Sequence, residues 1–370
     1  MLMQFTPHTR IRRSPFFEAT VAAGAAGFTT YNHMLLPAGY GDPEGEYWRL
    51  RRGVSMWDVA AQRQVELRGP DAGKLAQILA PRDLSRCAAG QGKYVALCNH
   101  AGALINDPIA LKLDDDTYWF SIADSNILFW ARAIAAERGL DVAVAEPDVS
   151  PLAVQGPQAA EVIAALFGEW TRGMKYFYFR RADLDGMPLL LARSGWSKQG
   201  GFEIYLLDRA HGMRLWNTVA EAGAAWDIAA GSPNANERIE SGLLSWGGDT
   251  DDATNPFEVR LGKFVDLDFD GADEVVGIDA LRRIRRDGPA RHQLGVILDG
   301  DAPAPPHPLW YDITVGGRKV GDMTCGIWSY RLARNIGFGL VARDMTAGMR
   351  VEVLKGDARI GATLTVLPFA

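Results

Sequence analysis

Apolar positions along the chain fall into two kinds of short run. Some alternate with polar residues at period two, as in a strand; others recur at three and four, as on one face of a helix. VELRGPDAGKLAQIL (65–79) joins both kinds: a short strand, a Gly-Pro turn, then a helix with Pro near its first turn. LAVQGPQAAEVIAAL (152–166) repeats this pattern, with Gly156 standing where Gly69 stood. The first copy is followed by KYVALCN, ALINDPIALKL and TYWFSIA, then by SNILFWARAIAAERG. The second is followed by FYFRRADL, PLLLARS and GFEIYLL, then by AHGMRLWNTVAEAG. Strands and helices recur in the same order, which predicts a duplicated α+β unit with two antiparallel sheets.

NANERIESGLLSW (234–246) predicts a helix capped by Asn234, with Glu237 three residues on as in a capping box. DGPARHQLGVILDGDAPAPPHPLW then reads as a connection with edge strands. Beyond it, ITVGGRKVGDMT places a hairpin tip at Gly316-Gly317, and VEVLKGDARIGATLTV places a turn at Gly356-Asp357. The expected division is an α+β region over 1–288, containing both repeats, and a small antiparallel β-barrel or sandwich over 289–370.

Length and charge narrow the picture. A chain of 370 residues is too long for one ordinary core. A net charge of −6 argues against nucleic acid as the main partner. Arg10, Arg12 and Arg13 form the one dense basic cluster near a terminus, read as a solvated face or a phosphate contact. Cys87, Cys98 and Cys325 form no C-x-x-C pair, so neither a disulfide framework nor a zinc site is indicated. With no signal-peptide core and no long apolar run, the expectation is a soluble cytoplasmic protein. The six histidines lack H-E-x-x-H spacing, and the nucleophile elbow, Walker loop and G-x-G-x-x-G are all missing. No metal, covalent nucleophile or nicotinamide site is expected. The eleven tryptophans fill a core or line a pocket for a flat or cationic ligand.

Four segments set polar residues in apolar surroundings. In LINDP, Asn106 and Asp107 make either a capped bulge or a carboxylate held near a ligand. In GGFEIY, Glu203 and Tyr205 share one strand face while Phe202, Ile204 and Leu206 share the other. That polar face is either wet or a site. In NERIESGLLSWGGD, Arg238 and Glu240 suit surface salt bridges as well as a site. TTYNHMLLPAGYG reads as a binding loop or an ordinary one.

GGFEIY, RIESGLL, LINDP and the GPDA turn resemble the aminomethyltransferase superfamily: the T-protein of glycine cleavage and its folate-dependent relatives. TTYNHMLLP, WDVAAQRQVEL, PRDLS, PLAVQGP, RSGWSKQGGFEIY and SPNANERIESGLLS are more closely similar to the tetrahydrofolate-dependent dimethylsulfoniopropionate demethylases. The resemblance is strong over 10–290 and weaker over the barrel. It implies a three-domain ring around a central folate channel, with tetrahydrofolate as methyl acceptor and no metal. Glu203 matches the pterin-binding glutamate, which accepts two side-by-side N–H donors. Tyr205 lies beside it, Trp196 precedes it, and Arg238 matches a position near the folate. Asp107 aligns with the aspartate that orients the folate N5 region and the reacting amine, with Asn106 as polar partner.

The implied reaction moves a methyl group from a small onium donor, dimethylsulfoniopropionate foremost, to N5 of tetrahydrofolate. Its products are methylmercaptopropionate and 5-methyltetrahydrofolate. A sulfonium methyl is already activated, so the protein needs mainly alignment and exclusion of water. Tyr31, Trp119, Phe177, Tyr178 and Trp196 are aromatic walls for the cation. His33 and Lys198 are donors for the substrate carboxylate, and Asn32 and Met34 flank His33 in the same loop. That loop reads Asn32-His33-Met34 where the demethylases usually carry Asn-Arg-Met, so a fixed guanidinium fork is replaced. Two alternatives keep the folate and change the donor: a methoxylated aromatic acid, or a methylated amine such as glycine betaine or dimethylglycine. A Tyr or His beside Asp107 would favour the aryl ether, whose leaving group needs a proton. A third is a folate-binding protein without turnover. The expected partners are the donor and folate, with no nucleic acid or membrane; homodimerisation is left open.

Overall fold

The structure is a computed structural model that describes residues 8–300 and 310–369. The Pro-rich part of the expected connection, 301–309, lies outside the described residues, as do 1–7, on which the leader-peptide expectation partly rests.

Two sheets carry the duplication. The first orders its strands Ala143–Ala145, Gln64–Arg68, Thr117–Ser121, Ile109–Asp114 and Gln91–Tyr94. The second orders Phe179–Leu184, Met187–Ala192, Gly201–Leu206, Ser150–Gln155, Ser55–Asp58 and Ala229–Gly231. In each, the strand before the Gly-Pro turn pairs antiparallel with the last strand of its unit, and the earlier strands follow outward. Helices Ala72–Leu79 and Ala159–Phe167 follow the two turns. Both turns need glycine. At Gly69 (φ +140°) a Cβ would lie 2.7 Å from the Asp141 carbonyl, and at Gly156 (φ +123°) 2.4 Å from the Gly53 carbonyl. The second sheet is not wholly antiparallel, as the repeat alone predicted: Ala229–Gly231 runs parallel to Ser55–Asp58 at its edge. Both strands come from outside the repeated pattern, so the repeat held no information about them.

Strand Gly201–Leu206 is buried on both faces. Phe202, Ile204 and Leu206 join the core of the second unit, while Tyr205 joins Leu111 and Trp119 of the first sheet and Phe179 and Leu190 of the second. Each such side chain contributes roughly 1.5–3 kcal/mol through burial. The two sheets are also tied by backbone: Gly92 N donates to the Phe177 carbonyl (2.6 Å) and Phe179 N to the Gly90 carbonyl (2.9 Å).

The predicted helix over 234–246 is shorter, Ala235–Glu240. Asn234 Oδ1 accepts from Glu237 N (2.9 Å), as expected of the cap. The far end closes early at Gly242 (φ +69°), where Leu243 N reaches the Arg238 carbonyl and Gly242 N the Ile239 carbonyl, a Schellman stop. Its charged side chains are not surface salt-bridge partners. Glu237, Arg238 and Glu240 are all buried. Glu240 accepts from Tyr47 Oη (2.7 Å), Ser329 Oγ (2.5 Å) and Arg331 Nε (3.1 Å), so it pins the α+β region to the C-terminal strands.

Those strands close a six-stranded barrel: Arg291–Leu298, Arg334–Ala342, Arg318–Ser329, Tyr311–Val315, Arg350–Lys355 and Ala358–Thr365. Its hairpins turn at Gly316-Gly317 and Gly356-Asp357, as the sequence indicated. Among the described residues, no helix is long and apolar enough to cross a membrane.

Candidate active site

Two carboxylates, one from each repeated unit, organise the site: Glu203 is buried and Asp107 half-buried. Glu203 is 5% exposed. Its Oε2 accepts from the Ser194 hydroxyl, at short range, and from Tyr205 Oη (3.2 Å). Its Oε1 has no hydrogen-bond partner among the described residues. Burial pushes the Glu203 pKa up, opposed by the Ser194 and Tyr205 hydroxyls. Tyr176, half exposed, feels the same charge: burial first, and then Glu203, push its hydroxyl up to about 12.

The loop before Glu203 is shaped by Gln155, the last residue of strand Ser150–Gln155. Its Nε2 donates to the carbonyls of Ser194 (3.2 Å) and Phe202 (3.3 Å), and its Oε1 accepts from Ser197 Oγ (2.9 Å). The amide lies flat across Gly195 and Gly201, where a Cβ would come within 2.1 and 2.4 Å of it. Glu237 holds the same loop from the other side, accepting from Lys198 N (3.1 Å), Gln199 Nε2 (3.1 Å) and Ser241 Oγ (2.6 Å). Trp196 is thereby held half-buried, whereas the Lys198 side chain is exposed.

Asp107 anchors the other end. Its Oδ2 accepts from Tyr94 Oη (2.7 Å). Burial raises its pKa to about 7; the Tyr94 bond opposes this and the charge of Asp249 adds to it. Tyr31 is close enough that burial, and then the Asp107 charge, hold its phenol well above its ordinary value. Asp249 is fully buried, paired with Arg238 Nη1 (2.7 Å) and bonded to Ser245 N (2.8 Å) and Thr324 Oγ1 (3.1 Å). Arg238 also lies over the Phe338 ring at 5.6 Å. Arg238 therefore has a structural anion of its own beside Asp107.

Several expected contacts are engaged by the fold itself. Asn106 gives its Nδ2 to the Ala123 carbonyl (3.0 Å) and Ser125 Oγ (2.8 Å), while its Oδ1 accepts from Ala123 N (3.0 Å). Asn32 sits at φ +48°, with Nδ2 on the carbonyls of Ala61 and Ile122 and Oδ1 on Ser125 N. These two amides position the 122–126 loop beside Asp107. Met34 is buried in the core of the second unit. Trp119 is 4% exposed, gives its Nε1 to Glu66 (2.8 Å) and backs the Tyr205 ring at 6.5 Å. Phe177 is half-buried at φ +64°, Tyr178 is 36% exposed, and His33 is exposed. Sequence reasoning missed Tyr94, Tyr176, Ser194, Gln155 and Asp249. Gln155, Ser194 and Asp249 lie in segments already singled out and Tyr94 and Tyr176 do not, but none carries a local pattern that tells it from a core or loop residue. Among the described residues, no cluster of His, Cys, Asp and Glu could hold a metal ion.

Two family models match the chain. The GCVT N-terminal domain model matches residues 16–269, and the glycine cleavage T-protein C-terminal barrel domain model matches 291–370. The chain is 43% identical over 353 residues to dimethylsulfoniopropionate demethylase DmdA of Ruegeria pomeroyi, covering 95% of each chain. It is 30% identical to the aminomethyltransferase of Rubrobacter xylanophilus, covering 97% of this chain and 94% of that one. The fold matches the crystal structure of aminomethyltransferase T from Bartonella henselae with a TM-score of 0.86 at 22% identity, over 97% and 98% of the two chains. The chain belongs to the glycine cleavage T-protein family, as GGFEIY, RIESGLL and LINDP indicated.

Proposed function

We propose that this member of the glycine cleavage T-protein family moves a methyl group from dimethylsulfoniopropionate to N5 of tetrahydrofolate, leaving methylmercaptopropionate and 5-methyltetrahydrofolate. The observation that carries the reading is Glu203: a buried carboxylate, without a cation, that keeps one oxygen free of protein donors. Such a group suits the paired N–H donors of a pterin, which it would accept in a charge-assisted arrangement. The similarity to the Ruegeria demethylase supports the sulfonium donor.

Bound there, tetrahydrofolate supplies a nucleophilic amine, N5. Glu203 and Tyr205 hold the ring edge, with Trp196 and Tyr176 on the flank. Asp107 would take the proton released as the new N–C bond forms and the S–C bond breaks, the electron pair leaving on the neutral thioether. Tyr94 fixes the orientation of that carboxylate. Tyr31, Phe177 and Tyr178 offer aromatic surface to the sulfonium, and Arg238 supports the site through Asp249. No side-chain nucleophile is required, because the methyl is already activated.

A second reading, demethylation of an aryl methyl ether, draws on Tyr94: a phenol hydrogen-bonded to Asp107 is the acid that such a leaving group needs. One experiment separates them. The purified protein is incubated with tetrahydrofolate and, in turn, dimethylsulfoniopropionate, glycine betaine, dimethylglycine and a methoxybenzoate, and 5-methyltetrahydrofolate is followed. Product with the sulfonium alone is the expected result. Product only with the methoxybenzoate selects the second reading; folate binding without product from any donor makes the protein a binder without turnover.

A further inference from the structure

Tyr205 is gripped from the first repeated unit. On that unit's sheet Gln64 lies across from Ser121, and Glu66 across from Trp119. Residues two apart on a strand share a face, so these four side chains line one face of the sheet. That face meets Tyr205: Trp119 backs its ring at 6.5 Å, and the Ser121 hydroxyl hydrogen-bonds to its Oη. Gln64 is buried behind Ser121. Its Nε2 gives one proton to the Gln62 carbonyl (2.8 Å) and the other to Ser121 Oγ (3.1 Å). Its Oε1 has no hydrogen-bond partner among the described residues. Turning the amide over would set that oxygen against the Gln62 carbonyl, so only one orientation suits the site.

The order of protons follows. A hydroxyl has one proton to give. Ser121, accepting from Gln64, gives its proton to Tyr205 Oη, and Tyr205 gives its own to Glu203 Oε2 (3.2 Å). Gln64, Ser121, Tyr205 and Glu203 thus form one line of hydrogen bonds that crosses from the first unit to the second, each bond pointing toward the carboxylate. The Ser194 hydroxyl, from the second unit's own loop, reaches the same oxygen. The cross-strand neighbours of Glu203, Ala153 and Ala192, offer no polar side chain. Tyr205 and Tyr176 are the titratable groups that feel its charge among the described residues.

We propose that Ser121 is a positioning residue for the pterin: its hydroxyl turns the Tyr205 proton onto Glu203 Oε2 and so leaves Oε1 for the ligand's N–H groups. This role rests on Glu203 being the pterin anchor. A hydrogen bond to a carboxylate favours its charged form, and each bond in a line strengthens the next. Without the Ser121 proton, Tyr205 Oη is a weaker donor and its own proton is free to turn away. Burial, which opposes charge on Glu203, then counts for more. The first unit closes its own carboxylate, Glu66, with Arg68 and Trp119, and through Ser121 it also sets the carboxylate of the second.

The test measures the dissociation constant of tetrahydrofolate by isothermal titration between about pH 5 and about pH 8. It uses the wild type, Ser121→Ala, Ser121→Thr and Glu203→Ala. Ser121→Ala should bind about fivefold more weakly at neutral pH, the worth of one hydrogen bond. As pH falls and Glu203 takes up a proton, its binding should fail at a higher pH than that of the wild type, because the charged form has lost support. Ser121→Thr, which keeps the hydroxyl, should restore both. Binding by Ser121→Ala that fails at the wild-type pH overturns the proposal whatever the affinity, since lost packing alone does not move a titration. The same upward shift in Ser121→Thr also overturns it, because the hydroxyl is then not the cause. Either result leaves the folate reading intact when Glu203→Ala loses affinity. Wild-type affinity in Glu203→Ala removes the folate reading itself, and the role of Ser121 with it.

Discussion

Glu66 and Glu203 occupy matching pairs of positions in the two repeated units. Glu66 stands three residues before the turn glycine Gly69 and lies across from Trp119. Ala153 stands three residues before Gly156 and lies across from Glu203. Each unit thus has one carboxylate at the same cross-strand pair, on opposite members of it. Their surroundings differ. Glu66 receives Arg68 Nε and Nη2 (3.0 Å each) and Trp119 Nε1 (2.8 Å). Burial pushes its pKa up, but those three donors outweigh it and hold it below the ordinary value. Glu203 has two hydroxyls, no cation, a raised pKa and one free oxygen. Duplication supplied two frames for a carboxylate. One was closed by the protein's own donors, and the other keeps an oxygen free of them.

That comparison can be broken most directly at Glu203. Glu203→Ala should weaken tetrahydrofolate binding about 100-fold, the worth of a paired charge-assisted contact. Glu66→Gln should leave folate affinity unchanged. Isothermal titration of both variants checks this, and a folate defect in Glu66→Gln would erase the distinction.

An effect of the same size is expected at the other carboxylate. Asp107→Asn should lower kcat about 100-fold, in the range for a positioned proton acceptor. Ionised Asp107 predominates above about pH 7, so wild-type activity should rise with pH through that value, and the variant should lose the inflection. Stability runs the other way. The folded pKa lies above the unfolded one, so the folded state loses stability as pH rises from about 4 through about 7. Asp107→Asn should therefore gain on the wild type in urea melts at pH 8 and not at pH 4.

Smaller effects test the frame around Glu203. Gln155→Leu removes the amide that spans Gly195 and Gly201, leaving the Ser194 and Phe202 carbonyls without it. A loss of about 2 kcal/mol is expected, with KM for folate rising as the Trp196 loop loosens. Glu66→Gln should cost least, about 1 kcal/mol in a urea melt, because Arg68 is largely exposed and solvent screens the pair.

Much of this was legible along the chain. The Gly-Pro repeat gave the two units because Gly69 and Gly156 are required by backbone approach, a local demand that sequence records. The hairpin glycines gave the barrel's turns for the same reason. Alternation in GGFEIYL placed Glu203 and Tyr205 on one face, since the pleat alone dictates it. Motif resemblance supplied the family. What sequence could not supply was partnership. Arg238 and Glu240 suited surface salt bridges as well as a site until the barrel closed over them, bringing Ser329 and Arg331 to Glu240 and Phe338 to Arg238 from more than 80 residues away. Asn32 and Asn106 read as ligand contacts until the folded chain gave each amide backbone and Ser125 partners. Tyr94 became a site residue only when two strands brought its hydroxyl to Asp107. A residue's type and spacing follow from covalent geometry and local propensity. Whether its polar atoms are satisfied depends on contacts that only tertiary packing makes, and that alone separates the closed carboxylate Glu66 from the open one, Glu203.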